Sequence, residues 1–117
     1  MNFCSDNVTC ACPEIAAAVM AANDGAAMPY GADATTGTVE QTIADLFETT
    51  ADVFLVATGT AANVLALSVL APPYGSIYCH PEAHIEVDEC GGPEFYTGGA
   101  KLVQLPDRNG KITASDL

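Results

Sequence analysis

The segment FLVATGTAANVLAL, residues 54–67, constrains the fold more than any other part of the chain. An apolar run rich in β-forming residues stops at four small or hydroxyl-bearing residues, Ala57 to Thr60, which we name the bare turn. A second apolar run, now with helical spacing, follows at once. A buried strand that turns directly into a buried helix is typical of β-α-β units, which build parallel sheets. The sequence therefore predicts an α/β fold.

The rest of the chain continues this alternation of helices and strands without an internal repeat. We predict helices over residues 13–24 and from Thr38 onward, and a third helix after the bare turn that is apolar nearly all round and hence buried. Segment 26–37 has the composition of a loop, and residues 84–89 are ambiguous. The remaining predictions are strands in DVFLV (52–56), SIYCH (76–80) and AKLVQLP (100–106), a turn in DRNGK (107–111) and a helix cap from Thr113 to Asp116.

The charge excludes two classes of partner. Three basic residues stand against 15 acidic ones, and the net charge is -12. Three bases cannot form a basic patch, so we expect no binding to nucleic acid or to an anionic membrane surface. The uncharged stretch 53–76 is interrupted by Gly59, Pro72 and Pro73, which argues against a membrane span. Because no secretory signal is visible at the amino terminus, we expect a cytoplasmic protein.

Cysteine and histidine spacing disfavours a metal site. The five cysteines are an odd number without disulfide-framework spacing, which predicts free thiols. Cys4, Cys10 and Cys12 lack C-x-x-C spacing and a fourth ligand, so the default for them is a small buried hydrophobic side chain. His80 and His84 would lie on one face only if the segment between them were helical, and the intervening Pro81 argues against a helix there. We therefore expect no metal, and we interpret His80 as a loop residue.

The bare turn has two interpretations that the residues alone leave open. It is either a tight connection in which Thr60 caps the following helix, or a cradle for an anion. In the second case the helix start supplies unpaired N–H groups, Gly59 permits close approach, and the hydroxyls of Thr58 and Thr60 donate to oxygens. Neither a P-loop nor the dinucleotide motif G-x-G-x-x-G is present. The chemistry therefore favours a single phosphate monoester over a polyphosphate.

Five motifs, taken in order, carry a family resemblance: FCSDN, YGAD, ATGTAAN, CHPEAHI and DECGGPEFYTGGAKL. With them the chain resembles the amino-terminal part of the threonine aldolase and β-eliminating lyase family, from Phe3 to Leu117. The resemblance implies pyridoxal 5'-phosphate (PLP) as the cofactor and the aspartate-aminotransferase-like fold type I. Residues 1–117 would then be one region, an amino-terminal arm and the first part of the large domain, with a mostly parallel, incomplete sheet and flanking helices.

The same resemblance implies the residues that bind the cofactor. Gly59 and Thr60 would hold the cofactor phosphate, with Thr58 beside them and Asn63 one turn into the helix. His84, in the AHI motif, would lie flat on the pyridine ring and is a candidate proton acceptor, since imidazole titrates near neutrality. The alternative for His84 is an ordinary, partly buried histidine.

Substrate-binding residues are also implied, each with a structural alternative. Ser5 would lie near the substrate carboxylate, whereas its neighbours Asp6 and Asn7 could equally serve a turn. Tyr30 and Asp33 match a loop that contributes to the active site, often that of a neighbouring subunit; the alternative is a surface turn with an anchoring tyrosine. Glu89 could hydrogen-bond within the site, although two adjacent carboxylates, at positions 88 and 89, are typical of a solvated edge.

The intact enzyme would be a carbon–carbon lyase that cleaves a β-hydroxy-α-amino acid, L-threonine or L-allo-threonine, to glycine and acetaldehyde. It would be a homo-oligomer, a dimer or a tetramer. The Schiff-base lysine, the pyridine-nitrogen acid and the carboxylate arginine of the family match none of residues 1–117, and neither Lys101 nor Lys111 takes the lysine's place. We therefore expect a fragment that is inactive alone. The alternatives are β-elimination or transamination with the same cofactor, and a non-catalytic acidic module that binds a phosphate-bearing ligand or a partner chain.

Overall fold

The computed structural model describes residues 4–5 and 8–117 and divides the chain into two compact units, Met1–Val53 and Phe54–Leu117. The first unit contains two helices, α1 (Pro13–Ala22) and α2 (Ala34–Leu46). Helix α1 matches the prediction: Pro13 occupies its first position, and the helix stops before Asn23, its C-cap.

Helix α2 begins four residues earlier than predicted, at Ala34 instead of Thr38. The carboxylate of Asp33 accepts hydrogen bonds from the backbone N–H of Thr36 at 2.9 Å and from its hydroxyl at 2.7 Å. Those two hydrogen bonds lower the pKa of Asp33. Asp33 is the better cap because a charged acceptor compensates the unpaired N–H groups of the first turn. The hydroxyl of Thr38 donates to the carbonyl of Ala34 within the helix instead.

The second unit is a β-α-β arrangement with a parallel sheet. Strands β1 (Ser76–Cys79) and β2 (Lys101–Gln104) pair in parallel, with Ser76 opposite Lys101 and Cys79 opposite Gln104. Both strands, and the parallel pairing, confirm predictions; the described residues form a sheet of these two strands. Helix α3 (Gly59–Leu70) precedes β1, and helices α4 (His84–Val87) and α5 (Gly92–Thr97) connect the two strands.

The carboxyl-terminal segment also agrees with the sequence prediction. Asn109 and Gly110 have φ of 58° and 79°, as in a turn, and the Gly110 N–H donates to a carboxylate oxygen of Asp107 at 2.6 Å. Thr113 and Asp116 cap a single 3-10 turn, Ala114–Asp116, by reciprocal hydrogen bonds.

The core of the second unit lies between α3 and α5. Val64 is buried at 3% exposure, and a Cβ placed on Gly92 would lie 2.9 Å from its Cγ1 atom. Only a residue without a side chain permits this approach of the two helices. The buried hydroxyl of Thr97 accepts the N–H of Ala100 at 3.1 Å and donates to the carbonyl of Pro93, which joins α5 to the start of β2.

The predicted strand 52–56 is wrong, because this segment has no ladder of hydrogen bonds to a neighbour among the described residues. Phe54 and Leu55 are 84% and 69% exposed. A strand requires a partner, and the described sheet places none beside this segment. The predicted burial of α3 is also wrong, because among the described residues no neighbouring element covers most of its apolar side chains. Of its residues only Val64 is buried, while Val69 is 85% exposed.

Cys10, Cys12, Cys79 and Cys90 are free thiols, as predicted. Cys4, Cys10 and Cys12 are exposed, so their expected burial is wrong; Cys79 is buried, and this burial raises the pKa of its thiol. Among residues 4–5 and 8–117, no helix has the length and apolarity needed to cross a membrane. The same residues contain no group of three or more histidine, cysteine or carboxylate side chains placed to hold a metal ion.

Candidate cofactor and active site

The bare turn places three residues, Thr58, Gly59 and Thr60, at the amino end of α3; we name them the cradle. Thr58 is the N-cap, and its hydroxyl oxygen accepts the N–H of Ala61 at 3.1 Å. Its carbonyl accepts the N–H of Ala62 at 3.1 Å. The expectation that Thr60 caps this helix is therefore wrong: Thr58 does so, and Thr60 is the second residue of α3.

The cradle is open on the side from which an anion would approach. The N–H groups of Gly59 and Thr60 have no acceptor within the helix, because they precede its first hydrogen-bonded turn. Gly59 is exposed, and a Cβ placed on it would meet no atom within 4 Å. The two N–H groups and the helix dipole together suit one small anion, so the residues present fit a phosphate monoester.

His84 is the first residue of α4 and is held by one buried carboxylate. Its Nδ1 atom lies 2.8 Å from Oε1 of Glu89. The His84 side chain is 62% exposed, whereas that of Glu89 is 0% exposed. One ring nitrogen is therefore anchored inside the protein, while the rest of the imidazole is accessible. With one nitrogen on a buried carboxylate, the ring also fits the alternative of a partly buried histidine.

Asn63 completes a network of three side chains, Asn63, Glu89 and His84, which we name the histidine network. The Asn63 amide donates from Nδ2 to the same Glu89 oxygen, Oε1, at 2.7 Å. Asn63 lies one turn into α3, so the helix that forms the cradle also contacts the carboxylate that anchors His84. The network connects the two parts of the candidate site through a single oxygen atom.

Glu89 is the residue that sequence reasoning described least well. The alternative of a solvated carboxylate edge is wrong for Glu89, which is 4% exposed, and applies to Asp88, which is exposed. Its contact with Asn63 spans 26 positions in the sequence and was not predicted. No local signal pointed to this contact, since Asn63 is exposed and lies far from Glu89 in the sequence.

The other candidate residues lie in the first unit. Ser5 is half-buried, and Asp6 and Asn7 lie outside the described residues. Tyr30 has a φ of 62° and a fully exposed side chain, and the N–H of Ala32 donates to the carbonyl of Pro29 across this tight turn. A positive φ is unfavourable for tyrosine, so the turn holds the ring outward at some cost in strain.

His80 lies in the loop after β1, as predicted. Its Nδ1 atom accepts the N–H of Glu82 at 3.0 Å, and its Nε2 atom lies 3.0 Å from a carboxylate oxygen of Asp107. The hydrogen bond with His80 lowers the pKa of Asp107. His80 thus fastens the end of β1 to the turn after β2, a structural role separate from the histidine network.

Comparison with known proteins gives the following similarities. The sequence pattern of the family described as Beta-eliminating lyase matches residues 2–117. The low specificity L-threonine aldolase of Pseudomonas sp. (strain NCIMB 10558) is 44% identical over 116 residues, which are 99% of this chain and 34% of that protein. The low specificity L-threonine aldolase of Saccharomyces cerevisiae is 31% identical over 97% of this chain and 29% of its own length.

A solved structure agrees with the sequence matches. The threonine aldolase of Leishmania major superposes with a TM-score of 0.79 and 28% identity, over 89% of this chain and 30% of that one. The described fold, mixed α/β with a small parallel sheet, is thus similar to a portion of a threonine aldolase. The chain spans about a third of the length of the curated Pseudomonas relative that it matches.

Proposed function

The chain belongs to the β-eliminating lyase family, and from this premise we propose that it supplies the phosphate cradle and the ring-contacting histidine of a PLP-dependent threonine aldolase. The whole protein would cleave L-threonine or L-allo-threonine to glycine and acetaldehyde. The family is PLP-dependent, and the chain's relatives are named as low specificity L-threonine aldolases. Residues 1–117 would be the amino-terminal arm and the first part of the large domain.

The observation that carries the proposal is the open amino end of α3. Backbone N–H groups at Gly59 and Thr60, and the hydroxyl of Thr60, provide neutral donors for the phosphate. A protein with a net charge of -12 repels free anions over most of its surface, so a local array of aimed donors is needed to bind one. PLP, when bound, supplies the electron sink for cleavage of the Cα–Cβ bond.

His84 has the exposure that a proton acceptor requires. Its ring is anchored at Nδ1 by Glu89, and 62% of the His84 side chain is exposed. In the proposed reaction the ring would contact the cofactor, and His84, or a water molecule that it holds, would take the proton of the β-hydroxyl group. Anchoring at one nitrogen limits rotation of the imidazole, so less order must be imposed when substrate binds.

We also propose roles for residues that would contact the substrate. Ser5 would bind the substrate carboxylate, and Tyr30, whose ring the turn holds outward, would contact substrate in a homo-oligomer, a dimer or tetramer in the cytoplasm. For Glu89, which the sequence suggested as a substrate-binding residue, we propose the role of anchoring His84. We assign the Schiff-base role neither to Lys101, which lies on β2 opposite Ser76, nor to Lys111 in the turn after it.

A matched pair of valine substitutions tests the cradle in the protein as its gene encodes it. Thr60→Val removes the hydroxyl but keeps the shape, and it should weaken PLP binding by about 1–3 kcal/mol, with little change in thermal stability. Thr58→Val removes the N-cap and should destabilise the protein by about 0.5–2 kcal/mol. Affinity is measured by PLP titration and stability by thermal unfolding. Unchanged PLP affinity in Thr60→Val would move the phosphate away from the cradle.

A further inference from the structure

The hydrogen bonds of the histidine network also indicate which nitrogen of His84 carries a proton. An amide nitrogen only donates hydrogen bonds, so the 2.7 Å contact from Asn63 Nδ2 requires Glu89 Oε1 to be an acceptor. The same oxygen atom lies 2.8 Å from Nδ1 of His84. A carboxylate oxygen only accepts hydrogen bonds, so with Glu89 in its carboxylate form the proton of the second contact belongs to His84 Nδ1.

The position of that proton fixes the tautomer of a neutral imidazole. With a proton on Nδ1, the lone pair is on Nε2, which lies on the far side of the ring from the buried carboxylate. The Glu89 side chain is 0% exposed, so water does not compete for its Oε1 atom. Nε2 is then the basic nitrogen of His84.

We propose that Glu89 and Asn63 are positioning residues that hold His84 in the Nδ1–H tautomer, so that Nε2 is the proton acceptor. This inference rests on the proposed function, because a basic Nε2 is useful only where a proton is to be taken. Glu89 sets the tautomer, and Asn63 fixes the carboxylate oxygen from the helix that forms the cradle. In this role the carboxylate and the amide act through His84.

His80 provides an internal reference with the opposite arrangement. Its Nδ1 atom accepts a backbone N–H from Glu82, so that nitrogen carries no proton. A neutral ring therefore carries its proton on Nε2, which lies 3.0 Å from a carboxylate oxygen of Asp107. The two histidines of the chain are therefore expected in opposite tautomers, a pattern that no general property of the solvent or buffer would produce.

The geometry at Glu89 supplies a conservative variant and a disruptive one. Oε2 of Glu89 is buried and has no hydrogen-bond partner among the described residues. Glu89→Gln can therefore place its amide nitrogen at the Oε2 position and keep an accepting oxygen at the Oε1 position. Glu89→Met fills similar space without an acceptor. Asp88→Asn removes the same charge at the neighbouring exposed position and is the control.

The test is imidazole nitrogen-15 NMR on the whole protein without PLP, with the signals of His84 identified by their loss in His84→Gln. We expect the Nδ1–H tautomer at His84 and the Nε2–H tautomer at His80 in the wild type, in Asp88→Asn and in Glu89→Gln. In Glu89→Met the tautomer ratio of His84 should move toward Nε2–H by about tenfold or more, as loss of a hydrogen bond to a charged group implies. The ratio at His80 should not change.

Two results would overturn the inference: His84 as Nε2–H in the wild type, or an unchanged ratio in a folded Glu89→Met. The wild-type measurement decides even if Glu89→Met does not fold. Because PLP is absent, failure here is separate from failure of the proposed function, which the Thr60→Val titration measures. If the protein shows the Nδ1–H tautomer but does not bind PLP, Glu89 and Asn63 do set the tautomer of His84, and the proposed catalytic role of His84 is wrong.

Discussion

The cradle and the histidine network occupy the same unit but are built differently. The proposed donors of the cradle are the backbone N–H groups of Gly59 and Thr60 and the hydroxyl of Thr60, while the hydroxyl of Thr58 caps the helix. The histidine network consists of three side chains that meet at one buried oxygen atom. Backbone donors survive most substitutions that keep the helix, whereas a side-chain network fails when any member changes. The cradle should therefore be sensitive to added bulk, and the network to residue identity.

The largest effect is expected at His84. His84→Asn should lower kcat for threonine cleavage by about 10²- to 10⁴-fold, the usual range for loss of a proton-transferring side chain. Affinity for PLP should change far less, because the cradle is unaltered. The matched control is His80→Asn, which removes an imidazole from the loop after β1 and should leave kcat within about twofold. Equal losses of rate in the two variants would contradict a special role for His84.

The next effect concerns the helix contact beside the network. Gly92→Ala places a methyl group 2.9 Å from Val64 Cγ1, and we expect destabilisation of about 1–3 kcal/mol from overpacking. Denaturant unfolding measures it. Val64→Ala in the same chain removes the clashing methyl groups, so the double variant should lose less stability than the sum of the two single variants. Simple additivity would show that α3 and α5 do not meet at these residues.

The cradle should respond to bulk with opposite effects on affinity and stability. Gly59→Ala adds a methyl group where no atom lies within 4 Å, so folding is not hindered, and stability should rise by up to about 1 kcal/mol. PLP affinity should nevertheless fall, by about tenfold if one backbone hydrogen bond is lost. Gly37→Ala in α2, also with open space, is the control for stability alone. A Gly59→Ala variant with normal PLP affinity would contradict the cradle.

The smallest effect lies outside both regions, at the ion pair between Arg108 and Asp116. Hydrogen bonds from Arg108, two of them at 2.8 and 2.9 Å, lower the pKa of Asp116 to about 2 from an ordinary 3.8. Because the folded pKa is the lower one, this contribution to stability is full above about pH 4 and is lost as the pH falls through about 2.

As the pH falls across that window, the free energy of unfolding should decrease more steeply for the wild type than for Asp116→Asn. PLP affinity at neutral pH should be the same for both proteins. Parallel stability curves would remove the ion pair as a cause of acid sensitivity.

Local signals predicted much of this molecule. Pro13 and Asn23 set the ends of α1, the Asn109–Gly110 pair marks a turn, and the bare turn places the cradle at a helix start. Each of these features depends on residues within one or two turns of each other, so the sequence displays it directly. The family motifs added the roles of Gly59, Thr60 and His84, which remain proposals.

What the sequence did not predict depends on distant partners. Residues 52–56 have the composition of a strand, yet strand pairing depends on whether a neighbouring strand is present and not on the segment alone. Helix α5 was missed because its short apolar pattern is framed by Gly91 and Gly98, whose positive φ values start and end it. Asp88 and Glu89 are identical in charge and opposite in burial, because the turn after α4 directs only one of them toward Asn63.

A crystal structure of the whole protein with PLP would show directly where the phosphate and the His84 ring lie. We predict the phosphate within hydrogen-bond distance of the N–H groups of Gly59 and Thr60, and the His84 ring in contact with the pyridine ring while its Nδ1 atom remains on Glu89. A phosphate bound elsewhere, or a His84 ring turned away from the cofactor, would contradict the account.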